Sequence, residues 1–248
     1  MTRLNESRIG AVIEEPFAAR VSRSLASTLH TQHGTAILVG LDAPLTVTSP
    51  GRAPVHGRAV VVPPHLPHAA TSSGPALKLL YDPDLGPAIA SFSRSRAGAF
   101  TLEGTLARFF DEATTAHRAS ITRPDVLRGL ARESGDRLAR DATVASQDPR
   151  VARVLEALRD PLGDPGEAVD RVGLSESHLQ ALFARDVGMP MRTYRLWRRL
   201  LVALTTFARS DATFAAHAAG FADLAHFSRT CRRMLGNSPR ELGRSLLS

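Results

Sequence analysis

The spacing of apolar positions changes twice along the chain, and each change marks a different kind of building block. Through residues 1–92 the apolar residues come in short runs cut by Gly and Pro. Residues 35–39, 45–48, 59–62 and 77–81 read as strands, with breaks at 49–54 and 63–67. Short punctuated strands of this kind predict a small antiparallel β-barrel. From Phe92 the spacing lengthens to three and four. Leu102, Leu106, Phe109, Phe110, Ala113 and Ala116 form one helical stripe; after Pro124 a second helix carries Val126, Leu127, Leu130 and Leu138. Those helices either cover the barrel or join two subunits. Residues 142–148, ending at Pro149, read as a linker, and a helix over 149–159 opens a region without strands. The fold class is therefore α+β, with a barrel at 1–92, a helical extension and linker at 93–148 and an all-α domain at 149–248.

In that last domain one segment is punctuated on both sides. Asp223 is placed to cap a helix whose end is marked by Gly236 and then Pro239. Leu224, Phe227, Cys231 and Leu235 recur on one face, leaving His226, Ser228, Arg229, Arg232 and Arg233 on the others. The same punctuation occurs 48 residues earlier, where Ser175, Leu179, Phe183 and Gly188 precede Asp223, Phe227, Cys231 and Gly236. Ala168 and Ala216 keep that offset in the preceding helices, where small residues suit a close crossing. Two helix-turn-helix units follow, each a support helix and a second helix whose N-terminal turn can enter a major groove. Between them residues 192–209 carry a buried stripe of Tyr194, Trp197, Leu201, Leu204 and Phe207. A connecting helix of about sixteen residues separates the units by ~24 Å, which with the helix widths approaches the ~34 Å between successive major-groove windows.

Ser175, Leu179, Phe183, Gly188, Tyr194, Arg199, Ala203, Gly220, Phe221, Asp223, Phe227, Arg229, Gly236, Ser238 and Pro239 together resemble the DNA-binding domain of the arabinose-regulator (AraC) family. The resemblance covers residues 149–248. It implies a sequence-specific transcription regulator acting on double-stranded DNA, with RNA polymerase as a candidate partner and a homodimer as the expected assembly. Ser175, Glu176, Ser177, His178, Gln180 and Arg185 would then face DNA from the first unit, with Gln180 the best base reader because its amide can pair with adenine N6 and N7. Asp223, Leu224, His226 and Arg229 would do so from the second, with Arg232 and Arg233 on phosphate. Arg192, Arg195 and Arg198 on the connecting helix are further phosphate candidates. Two departures from the family pattern fall in the second unit: Cys231 replaces an aromatic residue, and Leu224 and Ala225 replace polar ones.

The N-terminal part resembles the cupin-type sensor barrel that often precedes this domain, through His30, His33, Gly40, Asp42, Pro63, Pro64 and His68; His65 stands where a turn glycine is usual. His30, His33, His65 and His68 could orient a small-molecule effector in an apolar pocket. The alternatives are a DNA-binding regulator whose barrel only dimerises and a metal-dependent cupin enzyme. The enzyme is disfavoured because His30 and His33, three apart, fall on opposite faces of an ideal strand and no Glu follows to complete a ligand set. No metal, cofactor or catalytic residue is therefore expected.

Charge sharpens this picture. The chain carries a formal +7, distributed as +2 over residues 1–148, −2 over 149–186 and +7 over 187–248, so a polyanion would be met mainly at the C-terminal end. Thirty of the 31 basic residues are arginines; Lys78 is the exception. A single cysteine, Cys231, excludes an intrachain disulfide and a thiolate zinc site. Neither a signal peptide nor a membrane span is evident, and the cytoplasm is the expected location.

Overall fold

The computed structural model describes residues 10–14, 17–82, 89, 92–93, 97–140, 148–160, 162–163, 166–207 and 209–246. The expected linker at 142–147 and the Ala168 side chain lie outside the described residues. The described strands are β1 (Gly10–Glu14), β2 (Phe17–Ser22), β3 (His30–Thr31), β4 (Thr35–Gly40), β5 (Leu45–Thr48), β6 (Val55–Gly57), β7 (Ala59–Val62), β8 (Pro67–Ser72), β9 (Ala76–Tyr81) and β10 (Phe100–Thr101). They form two antiparallel sheets, ordered β1-β2-β9-β4-β7-β10 and β3-β8-β5-β6. The four strands expected from apolar runs are present as β4, β5, β7 and β9. Strand structure also continues past the expected limit at residue 92, because Phe100 and Thr101 pair with Val61 and Val60 at the edge of the larger sheet.

Alternation along β4, β7 and β9 gives the larger sheet a separate core on each face. Ile37, Val61, Leu77, Leu79 and Tyr81 point to one side and pack on Phe110, Leu127, Leu130 and Ala131. Those residues come from α1 (Gly104–Ala116) and α2 (Pro124–Arg140), so these helices cover the sheet. The Tyr81 hydroxyl donates to the Ala131 carbonyl at 2.9 Å, which satisfies the one polar atom that side of β9 buries. Ala36, Leu38, Val60, Val62 and Leu80 point the other way, onto Leu45, Val47 and Ala70 of the smaller sheet.

The remaining helices are α3 (Pro149–Leu158), α4 (Gly166–Asp170), α5 (Glu176–Val187), α6 (Met191–Phe207), α7 (Ala212–Ala218), α8 (Leu224–Leu235) and α9 (Pro239–Leu246). Their two halves are held differently. The first half has its own core of Val151, Val154, Leu158, Leu179, Phe183 and Tyr194. The second half has none to itself: Trp197, Leu200, Leu204, Phe227 and Met234 close over the same apolar cluster as Leu38, Val60 and Leu80 of the barrel. Each large apolar side chain so buried is worth about 1.5–3 kcal/mol, so the second half and the barrel stabilise one another.

Candidate nucleic-acid interface

The two capped helices predicted from the repeat are α5 and α8. The Ser175 hydroxyl accepts from the His178 N–H, and the Asp223 carboxylate accepts from the His226 N–H at 2.6 Å. Each helix ends on a left-handed glycine, Gly188 at φ +84° and Gly236 at φ +75°, whose N–H returns to the last turn. Both N-termini face solvent. Glu176, Ser177, His178, Ala181 and Arg185 are exposed along α5, while Gln180 is half-buried at the edge of that stripe. On α8, Leu224, Ala225, Arg229, Arg232 and Arg233 are exposed. Leu224 was expected on the packed face; it stands instead at the solvent tip, 38% exposed, while Phe227, Thr230, Cys231, Met234 and Leu235 form the buried face of the helix. His226 is half-buried with its ring edge-on to Phe221 at 5.2 Å.

The connecting helix α6 has 17 residues and gives the expected separation of about 25 Å. Its arginines divide. Arg192 is exposed. Arg195 is half-buried and donates to the Gly163 carbonyl at 3.3 Å. Arg198, expected on phosphate, is buried: its guanidinium lies 3.6 Å from the Asp82 carboxylate and also donates to the Arg159 carbonyl. A cation enclosed and paired in this way does not reach a DNA backbone, so Arg198 joins the barrel to the helical domain instead. Arg185 donates to Asp186 at 2.7 Å yet remains 66% exposed.

The four barrel histidines form two pairs. His30 and His68 are register partners on β3 and β8, their rings 4.3 Å apart. Each Nδ1–H donates to a backbone carbonyl, of Thr28 and Leu66 respectively, which fixes the tautomer and leaves both Nε2 atoms as acceptors; His30 Nε2 has no partner. His33 and His65 meet through Nδ1 atoms 3.2 Å apart. His65 has φ +65°, the left-handed backbone that makes glycine usual at this turn. Burial pushes His30 and His33 down to about 4 and His68 to about 3; nearby positive charge adds to this, from Lys78 at His30 and His68 and from Arg233 at His33. The imidazoles thus lie in two pairs, and among the described residues no group of three or more His, Cys, Asp or Glu side chains that could hold a metal ion is found.

The barrel and the second reading helix touch directly. The Thr28 hydroxyl donates to the Gly236 carbonyl at 3.0 Å, and a Cβ on Gly236 would stand 2.6 Å from His30 Nδ1. Three residues that matter here escaped the sequence reading: Asp82, Arg20 and Lys78. The signal for Lys78 was in view, since it is the single lysine and interrupts the apolar run of β9.

Residues 168–245 match the family model described as a helix-turn-helix domain (HTH_18). Compared by sequence with curated proteins, the chain matches none. Among solved structures it is similar to ToxT from Vibrio cholerae, at a TM-score of 0.56 and 11% identity over 94% of this chain and 99% of ToxT. It is also similar to ToxT described as bound to an unsaturated fatty acid, at 0.53 and 10% over 93% and 96%. The AraC-like transcriptional activator CuxR aligns over 80% of this chain and 84% of its own length at 13% identity and a TM-score of 0.42. At such identities the likeness to ToxT speaks for the fold, an antiparallel cupin-like barrel followed by helices. Among the described residues no helix is long and apolar enough to cross a membrane. With the matched domain containing both capped units, the C-terminal region is an AraC-type helix-turn-helix domain.

Proposed function

We propose that the chain is a sequence-specific DNA-binding transcription regulator whose affinity for DNA is set by a small molecule held at the barrel. One observation carries the reading: two helices with matching punctuation present exposed N-terminal turns from the ends of one connecting helix, and that connecting helix and the second reading helix lie in the segment that holds the positive excess. Gln180, His178 and Arg229 are the base-reading candidates, and Arg192 and Arg232 the phosphate candidates. Control by a ligand is supported by the core that the second unit shares with the barrel, since a change on the barrel side bears on the position of α8. The fatty-acid-bound ToxT structure supports it further, as a protein of the same fold that holds a small molecule. His30, His33, His65 and His68 remain candidate effector contacts.

Mobility-shift assays of the full chain at rising salt test the DNA-binding half. Binding that weakens steeply with salt, and less steeply after Arg232→Ala, is expected; binding indifferent to salt contradicts it. Replacing His30, His33 and His68 together by Ala tests the histidines. Unchanged regulation in cells would remove them from the mechanism.

A further inference from the structure

Arg20 on β2 and Lys78 on β9 are direct register partners, so their side chains leave the sheet on the same face, the one that otherwise carries Ala18, Leu38 and Leu80. Like charges placed directly opposite one another destabilise a strand pair, and enclosing them in an apolar layer adds to the cost. Among the described residues neither cation has an ion-pair or hydrogen-bond partner. Glu241, the carboxylate that lines the chamber beside them, is engaged elsewhere, accepting from the Ser238 N–H and hydroxyl at 2.6 and 2.7 Å. Burial, reinforced by the charge of Arg20, pushes the Lys78 ammonium down to about 7.

The two cations stand at the junction of two cavities that share Arg20, Lys78 and Asn237 as lining. On one side is an apolar slot of about 80 Å³, walled by Ile13, Ala18 and Leu80 of the barrel and by Leu201, Leu204 and Leu242 of the helical domain. On the other is a wider chamber of about 240 Å³ that contains Ser22, Ser27, His30 and His68. We propose that this junction binds an amphipathic organic anion, its charged head between Arg20 and Lys78 and its apolar tail in the slot between the barrel and the second reading unit. The head would supply the missing counter-charge, and the tail would touch both domains at once. This assignment deepens the effector reading above: it names the ligand class and adds two contacts besides the histidines.

Isothermal titration of the full chain with octanoate, acetate and 1-octanol separates head from tail. Octanoate is expected to bind at least tenfold more tightly than either acetate, which lacks the tail, or 1-octanol, which lacks the charge. At pH 8, titration in two buffers of different ionisation enthalpy should show proton uptake on octanoate binding, because an anion beside Lys78 restores its charged form against burial and the charge of Arg20. Lys78→Met keeps the bulk and removes the charge; it should weaken octanoate at least tenfold and abolish the uptake. Leu204→Trp, which fills the slot and leaves both cations, should also weaken octanoate. Equal binding of octanoate and 1-octanol, or unchanged affinity in Lys78→Met, overturns the proposal. A chain that binds octanoate in the expected way yet selects no DNA sequence would overturn the regulator reading alone.

Discussion

Asp82, just beyond the end of β9, accepts the indole N–H of Trp197 with one carboxylate oxygen and lies 3.6 Å from the Arg198 guanidinium with the other. The Asp82 and Arg198 side chains are each 4% exposed. A pair so enclosed makes a fixed joint between the barrel and the connecting helix. Removing one partner leaves an uncompensated buried charge, which typically costs 3–5 kcal/mol, whereas removing both is far milder. Asp82→Asn should therefore lower stability by about 3 kcal/mol, and adding Arg198→Met should recover most of that loss. Urea unfolding followed by the fluorescence of Trp197, the single tryptophan, provides the measurement.

The reading helices make separable contributions. Gln180→Ala should weaken specific binding by about 1–3 kcal/mol and relax preference at one base pair, whereas Arg232→Ala should weaken binding to all sequences alike. Selection of sites from random DNA by both variants checks this. An unchanged motif for Gln180→Ala would reassign base reading to His178 and Ser177, the more exposed residues of the same turn.

Acid should loosen the barrel before it touches the reading helices. His30, His33 and His68 have folded-state values of about 4, 4 and 3 against an ordinary value near 6.5. Between pH 6.5 and about 4 the unfolded chain therefore binds protons that the folded chain refuses, so stability is complete above 6.5 and falls as pH drops through that window. The charges facing these groups, Lys78 for His30 and His68 and Arg233 for His33, act in the same direction. Urea midpoints should decline from pH 7 to pH 4.5, and His68→Phe should flatten part of the decline. A midpoint constant over that range contradicts the burial of the imidazoles.

Much of this architecture is written in local chemistry. The 48-residue repeat announced both reading helices because caps and left-handed glycines act within a few residues of where they stand. The apolar runs of β4, β7 and β9 were legible for the same reason, being buried on both faces. β1, β2 and β8 were not, since their mixed patterns, such as FAARVS, take meaning only from the strands beside them. Arg198 was misjudged through its partner: an arginine on a basic helix reads as a phosphate contact until Asp82, 116 residues away in sequence, is seen to lie against it. Lys78 stood out as the single lysine, but its pairing with Arg20 stayed hidden for a like reason, since only the register sets the two side by side.

The most direct test of the central claim is selection of binding sites from random double-stranded DNA by the full chain. Two units on one connecting helix should enrich a motif of two short blocks whose centres lie about one helical turn, roughly 10–10.5 base pairs, apart. Recovery of such a bipartite motif, with one block lost when Gln180 and His178 are replaced, is the predicted result. Enrichment of no motif, with binding that follows only the length and charge of the DNA, would contradict the account.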